Sequence, residues 1–156
     1  MDHDRREALR RGGAVSLLTL VAAAGWLPRG AAAETWNKDA FATHSLDETM
    51  KALGGTPPVP SKDVVFFSTP DIAENGAVVP IGITSNVPKT ESIAILVEKN
   101  PNMLAAVFDV PAGTEASLST RIKMQQTSNV YALVKADGKY YVNSKEIKVT
   151  LGGCGG

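Results

Sequence analysis

Residues 130–142 read VYALVKADGKYYV, and this stretch decides the fold. Apolar side chains alternate at Val130, Ala132 and Val134, and a period of two predicts a β-strand with one buried face. The pair Asp137-Gly138 follows, which is among the strongest short-range signals for a hairpin turn. Aromatic residues after the turn begin a return strand. The stretch therefore predicts two antiparallel strands joined by a tight turn.

Similar runs recur on the N-terminal side of this hairpin, separated by turn signals such as Asn75-Gly76. Strands are predicted at residues 64–67, 79–83, 93–97, 104–110, 116–124, 130–134, 140–142 and 147–151. Many short strands with regularly spaced turns predict an all-β, immunoglobulin-like antiparallel β-sandwich over residues 61–151. Because Tyr140 and Tyr141 are adjacent in a strand, their rings should lie on opposite faces, and one should point outward.

A different pattern precedes the strands. Apolar residues from Trp36 to Leu53 fall at helical spacing, which predicts a short helical segment. Ser45 and Glu48 fit a capping box, so two short helices should meet near Ser45. Two glycines, beginning with Gly54, should end the segment. The proline-rich residues 56–60 should then form an extended linker, so that residues 34–60 make up the helical segment and linker.

The first 33 residues have the layout of an export signal. Arg5 and Arg6 belong to a basic region, an apolar stretch of about 14 residues follows, and three alanines ending at Ala33 offer a cleavage site. Residues 4–10 resemble a twin-arginine signal, although Ala8 stands where phenylalanine is usual. The apolar stretch is shorter than the roughly 20 residues that span a bilayer. We therefore expect export to the periplasm, cleavage after Ala33 and no stable membrane anchor.

The charge balance excludes some classes of partner. The chain carries 16 basic and 16 acidic residues, and its formal net charge is zero. A near-neutral domain lacks the basic surface that binds nucleic acid or anionic lipid. We therefore expect no nucleic-acid partner.

The single cysteine, Cys154, lies in a run of glycines at the C-terminal end of the sequence. Its neighbours are Gly152, Gly153, Gly155 and Gly156, and glycine is costly to order, so residues 152–156 should form a flexible arm. An odd cysteine in an exported protein indicates either an intermolecular disulfide or a free reactive thiol. No base or arginine near Cys154 in the sequence would activate it. We therefore expect its sulfur to react only inside the site of another protein.

The sequence offers little for catalysis by the chain itself. His44 is the only histidine after the predicted signal, and a lone histidine makes a poor metal site. No carboxylate pair and no glycine-rich phosphate loop can be identified from spacing. We therefore predict no catalytic residue, no metal and no cofactor, and expect a protein that is not an enzyme.

The twin-arginine signal, the helical start, the all-β domain and the terminal Gly-Gly-Cys-Gly-Gly together resemble the SoxY family of the bacterial thiosulfate-oxidising Sox system. The resemblance implies a periplasmic sulfur carrier that pairs with a SoxZ-like β-sandwich subunit as a heterodimer. It also implies that a haem-containing enzyme conjugates thiosulfate to the arm cysteine, here Cys154. A metal-dependent hydrolase then releases sulfate, and a sulfane-sulfur dehydrogenase oxidises the sulfur that remains.

Other functions remain open at this stage. A ubiquitin-like carrier would use the carboxylate of a terminal Gly-Gly as a thiocarboxylate, although the export signal and the all-β pattern disfavour it. A structural or adhesion β-sandwich would use Cys154 for an intermolecular disulfide. An enzyme acting through His44 is a third possibility, and it would turn over substrate in isolation.

Overall fold

The computed structural model describes residues 37–151. A 3₁₀ turn at Ala40–Ala42 and helix α1 at Leu46–Ala52 come first. Within that range nine strands follow: β1 (Val59–Pro60), β2 (Val64–Phe67), β3 (Ile72–Asn75), β4 (Val79–Ser85), β5 (Thr90–Val97), β6 (Leu104–Asp109), β7 (Ser117–Ile122), β8 (Ser128–Ala136) and β9 (Lys139–Leu151).

The helical segment divides where its sequence predicts. Ser45 is the N-cap of α1, and its hydroxyl accepts a hydrogen bond from the backbone N–H of Glu48 at 3.2 Å. The Glu48 carboxylate in turn accepts from the backbone N–H of His44 at 2.9 Å, so both members of the predicted capping box act at this terminus. Gly54, with a φ of +69°, follows the helix and ends it.

The strands form two sheets that pack as a β-sandwich. In sheet A the order is β1-β9-β8-β5-β6, and β3 also pairs with β9. In sheet B the order is β2-β4-β7. The predicted hairpin joins β8 to β9, and its two turn residues, Asp137 and Gly138, have φ values of +50° and +73°. Positive φ at both positions is what a tight hairpin turn requires, which explains the Asp-Gly pair.

Strand β9 is longer than its sequence predicts. The apolar pattern suggests a break between residues 142 and 147, but β9 runs without interruption for 13 residues. Its polar stretch stays in the strand because β8 pairs with it from Lys139 to Ile147. Hydrogen bonding to β8 therefore overrides the weak strand propensity of these polar residues.

Two short strands, β1 and β3, are absent from the sequence prediction, and both run parallel to β9. Strand β1 lies inside the stretch predicted as a linker, where Val59 pairs with Tyr141 and Pro60 with Val142. The strictly antiparallel arrangement is thus wrong at this edge, although the β-sandwich itself is confirmed. Proline is tolerated in β1 because an edge strand needs hydrogen bonds on one side only.

Sheet A is buried on both faces. One face packs against sheet B in a core that includes Ile81, Ile83, Ile93 and Ile95, all fully buried. Side chains on the other face include Ala94, Leu96, Leu133 and Tyr140. Ala40 and Met50 of the helical segment cover them. This second core accounts for the unbroken burial of residues 93–97. In a strand with one face in solvent, buried and exposed side chains would alternate.

The expectation that one of the two adjacent tyrosines points outward is wrong for the same reason. Tyr140 is 7% exposed, because the helical segment covers its face of the sheet, and its hydroxyl donates to the carbonyl oxygen of Leu53 at 3.2 Å. Tyr141 is partly buried against the core between the sheets. Both rings therefore contribute to packing.

Candidate functional site

The residues predicted to carry the function lie outside the described residues. These are Cys154 with Gly152, Gly153, Gly155 and Gly156, together with Arg5 and Arg6 of the predicted signal. The last described residue is Leu151, at the end of β9. The structure therefore describes the backbone up to three residues before Cys154 in the sequence.

Strand β3 holds the end of β9 in place. Asn75 pairs with Leu151 in the parallel ladder, and the N–H of Gly76 donates to the carbonyl oxygen of Leu151 at 2.8 Å. The hydroxyl of Thr150 also donates to the carbonyl oxygen of Glu74 at 3.1 Å. Hydrogen bonds thus fix the backbone up to the last described residue.

Neighbouring connections brace this end of the sandwich. The N–H of Met124 donates to the carbonyl oxygen of Gly76 at 2.7 Å, which ties the β7–β8 connection to the β3–β4 turn. The side chain of Asn100 joins the β5–β6 connection to the same segment. Its amide donates to the carbonyl oxygen of Lys123 at 2.7 Å, and its carbonyl accepts from the N–H of Gln125 at 3.1 Å. The end of β9 therefore belongs to a platform whose connections are hydrogen-bonded to one another.

A cavity of the described domain lies at the other end of β9. It has a volume of about 620 Å³, and Lys89, Asp137 and Gly113 are among the residues that line it. Asp137 belongs to the turn before β9, whereas the route to Cys154 begins after it. Because β9 has 13 residues, the two ends lie roughly 40 Å apart at about 3.3 Å per residue. This cavity is therefore too distant to form one site with Cys154.

His44 is exposed and is not part of a catalytic arrangement in the described residues. Its Nδ1 is hydrogen-bonded to the carbonyl oxygen of Pro101, and its backbone N–H is bonded to Glu48. The bond to Pro101 ties the helical segment to the body of the domain, whereas the bond to Glu48 lies within the helical segment. His44 therefore acts as a structural surface residue in this arrangement.

Two tyrosines have a perturbed pKa, and neither can serve as a base near neutral pH. Burial raises the pKa of Tyr140 above its usual value of 10.0. Burial also raises the pKa of Tyr131, with a smaller contribution from the negative charge of Glu98. Both phenols hold their protons more tightly than in water.

The described part of the chain shows no arrangement of ligands for a metal ion. No group of three or more histidine, cysteine, aspartate or glutamate side chains comes together among residues 37–151. In the same range no helix combines the length and hydropathy that a membrane-spanning helix needs.

The chain is similar to a known protein family and to solved structures. The family model of the sulfur oxidation protein SoxY matches residues 49–154. The structure of the sulfur carrier protein SoxY from Chlorobium limicola f thiosulfatophilum is 34% identical, with a TM-score of 0.61, and the match covers 68% of this chain and 96% of that one. A chain of a structure that concerns T cell specificity and activation by the bacterial superantigen toxic shock syndrome toxin-1 also matches, over 55% of this chain and 98% of that one, but with 14% identity and a TM-score of 0.37 it supports no argument. No curated protein matches.

The family match spans well over half of the 156 residues and includes the end of β9 and the cysteine beyond it. The match thus covers the described end of β9 and residue 154 together. The chain belongs to the SoxY family of sulfur oxidation proteins.

Proposed function

We propose that this protein is a sulfur carrier that holds thiosulfate-derived sulfur covalently on Cys154 while partner enzymes oxidise it to sulfate. The observation that carries the proposal is that the match to the SoxY family extends to residue 154, which is the only cysteine of the chain. The solved relative at 34% identity is itself described as a sulfur carrier protein. Cys154 follows the braced end of β9 by three residues in the sequence, which supports a role in presenting the thiol to other proteins.

The chemistry follows from the properties of a thiol. Oxidative joining of the Cys154 sulfur to the outer sulfur of thiosulfate forms a sulfur–sulfur bond and releases the thiol proton and two electrons. A haem-containing partner enzyme accepts these electrons. Water then cleaves the terminal sulfonate as sulfate, in a reaction assigned to a metal-dependent hydrolase. A sulfane-sulfur dehydrogenase oxidises the persulfide sulfur that remains on Cys154.

Covalent attachment explains how a non-catalytic subunit would take part in this series of reactions. The carrier keeps a reactive sulfur intermediate from diffusing away, and docking raises its effective concentration at each enzyme in turn. The described domain supplies stability through its two cores and leaves the redox and hydrolytic chemistry to partners. In this proposal the chain is a non-catalytic subunit that pairs with a SoxZ-like β-sandwich subunit.

The proposal places the protein in the periplasm. The predicted twin-arginine signal, with Arg5 and Arg6, would direct export, and cleavage after Ala33 would release the mature protein. N-terminal sequencing of the secreted protein tests the cleavage position. Replacement of both arginines by lysine should keep the precursor uncleaved in the cytoplasm, whereas periplasmic protein from this variant would contradict the proposed route.

Reconstitution tests the carrier function. The mature protein, its partner subunit and the haem-containing enzyme are mixed with thiosulfate, and reduction of the haem is followed optically. We expect stoichiometric haem reduction with wild-type protein and none with Cys154→Ser or Cys154→Ala. Haem reduction that is equal with and without Cys154 would contradict a thiol carrier.

The same mixture separates the two other functions that the sequence left open. A structural role through an intermolecular disulfide would give a dimer that dithiothreitol dissociates, with no haem reduction. A thiocarboxylate carrier would remain active as Cys154→Ala and would lose activity when its C-terminal carboxylate is amidated.

A further inference from the structure

The last four residues of β9 are paired differently from the rest of the strand. Strand β8 pairs with β9 from Lys139 to Ile147, and the described residues after Ile147 have no register partner in β8. Residues 148–151 pair instead with β3, in a parallel ladder. This part of β9, here called the β9 end segment (residues 148–151), therefore depends on a different neighbour.

Burial of side chains contributes little to holding the β9 end segment. Lys148, Thr150 and Leu151 are exposed, whereas Val149 is partly buried against the core between the sheets. Hydrophobic stabilisation scales with the apolar area removed from water, so one partly buried valine supplies a small share. The position of the β9 end segment therefore depends mainly on hydrogen bonds.

Side-chain contacts tie the β9 end segment and β3 to the domain from two sides. On the β8 side, Oγ1 of Thr127 accepts a hydrogen bond from the N–H of Val149 at 3.0 Å, in place of a further strand partner. On the β3 side, Nζ of Lys145 lies 3.0 Å from the Asp71 carboxylate and donates to the carbonyl oxygen of Thr69. Lys145 thereby ties β9 to the residues that lead into β3.

The β9 end segment sets how much chain lies between the last held residue and Cys154. Cys154 is the third residue after Leu151 and the seventh after Ile147. A chain spans at most about 3.6 Å per residue, so the Cα atom of Cys154 lies within roughly 11 Å of that of Leu151. If the β9 end segment is released, the last held residue becomes Ile147, and the limit rises to roughly 25 Å.

We propose that Thr127 and β3 act as a clip on the β9 end segment, and that Thr127 is a positioning residue for the thiol of Cys154. This inference rests on the proposed carrier function. For a flexible arm, as the glycines predict, the effective concentration of the tethered group falls roughly as the −3/2 power of tether length. Lengthening the tether from three residues to seven lowers that concentration about 3.6-fold at the site of a docked enzyme.

Thr127 offers a matched pair of variants. Thr127→Val keeps the shape of the side chain but removes the acceptor for the Val149 N–H, whereas Thr127→Ser keeps the hydroxyl. On the β3 side, Thr150→Val removes the hydrogen bond from the Thr150 hydroxyl to the carbonyl oxygen of Glu74. Thr150 is exposed, so this second variant changes the clip without touching either core.

A nitroxide attached to Cys154, the single cysteine of the chain, measures the reach of the thiol in the mature protein. Paramagnetic broadening of backbone amides in NMR spectra marks the part of the domain that the label visits. Wild type and Thr127→Ser should show broadening around Leu151, and Thr127→Val should show it further along β9. Hydrogen exchange of the Val149 amide should be about five-fold faster or more in Thr127→Val. Asp137, roughly 40 Å away along β9, should stay unbroadened in all proteins.

The rate of thiosulfate conjugation in a single turnover, at a saturating concentration of the haem-containing enzyme, connects this reach to the proposed function. That rate should fall about three- to four-fold in Thr127→Val and stay at the wild-type value in Thr127→Ser. Thr150→Val should change broadening and rate in the same direction by a smaller factor. Alkylation of Cys154 by iodoacetamide, a small reagent that needs no docking, should proceed at the same rate in all variants.

Unchanged broadening and unchanged Val149 exchange in Thr127→Val would overturn the clip. Extended broadening with an unchanged conjugation rate would overturn the positioning role while leaving the carrier function intact. If wild-type protein accepts no thiosulfate, the carrier function fails and the positioning role fails with it; the NMR data need no enzyme and distinguish this result from failure of the clip. If Thr127→Val does not fold, Thr150→Val decides the proposal by the same criteria.

Discussion

Leu96 provides a sharp test of the claim that sheet A is buried on both faces. Leu96 and its neighbour Ile95 point to opposite faces of β5, and both are fully buried. If the outer face of sheet A were exposed to solvent, one of the two side chains would be exposed. Its truncation would then change the free energy of unfolding by less than about 0.5 kcal/mol. Here the helical segment covers Leu96, so truncation should be costly on both faces.

The magnitude follows from the carbons removed. At about 0.8 kcal/mol per buried carbon, Leu96→Ala loses roughly 2.4 kcal/mol of transfer free energy. A partly relaxed cavity adds roughly 1 kcal/mol, which gives a total of about 3.5 kcal/mol and agrees with the 2–5 kcal/mol range typical of such substitutions. Ile95→Ala should lie in the same range.

Urea unfolding, followed by far-UV circular dichroism, measures the free energy of unfolding of both variants. The two variants should have lower midpoints and an unchanged dependence on urea, which means that stability has changed and the unfolded state has not. A cost below about 0.5 kcal/mol for Leu96→Ala, with a normal cost for Ile95→Ala, would refute the second core.

Three further predictions concern packing and pH. Thr69→Val should destabilise the fold by about 1–3 kcal/mol, because the N–H of Gly82 donates to the buried Thr69 hydroxyl at 3.0 Å; urea unfolding checks this, and Thr69→Ser should retain most of the stability. Gly82→Ala should cost about 1–3 kcal/mol, because a Cβ atom there would lie 2.4 Å from the carbonyl oxygen of Phe67; a melting temperature equal to that of the wild type would contradict this. Burial raises the pKa of Tyr140, so its contribution to stability is full below about pH 10 and is lost as pH rises through the folded-state value. Urea midpoints measured from about pH 8 to pH 11 should therefore fall less steeply for Tyr140→Phe than for the wild type, and parallel curves would exclude Tyr140 as the cause.

The main strands could be predicted from sequence because their side chains alternate between core and solvent. The run at residues 79–83 and the Asp137-Gly138 turn are examples in which local pattern and tertiary environment agree. Strand β3 gave no such signal, since Glu74 and Asn75 are polar and the strand exists through its pairing with β9. The polar middle of β9 was missed for the same reason.

The second core could not be predicted because it depends on where the helical segment packs. Leu96 and Leu133 are apolar in either case, and their sequence pattern does not show which element covers them. The sequence predicts that one of the two adjacent tyrosines points outward, but Met50 and Ala40 pack in the same cluster as Tyr140 and cover it. Tertiary contacts between distant segments decide such positions.

The candidate site divides in a similar way. The proposal for Cys154 comes from sequence alone, because a lone cysteine among glycines has few structural roles, and it stays a prediction. The braced end of β9 could not be predicted, since it depends on hydrogen bonds from Gly76 and Asn100 to residues far away in sequence.

The mass of the C-terminal peptide is the most direct measure of the central claim. The carrier complex is incubated with thiosulfate and the haem-containing enzyme, digested without reductant and analysed by mass spectrometry. We predict that the peptide containing Cys154 gains the mass of one thiosulfate group, that dithiothreitol removes it, and that Cys154→Ser prevents it. An unmodified peptide under conditions in which thiosulfate is consumed would contradict the proposal that this protein carries sulfur on Cys154.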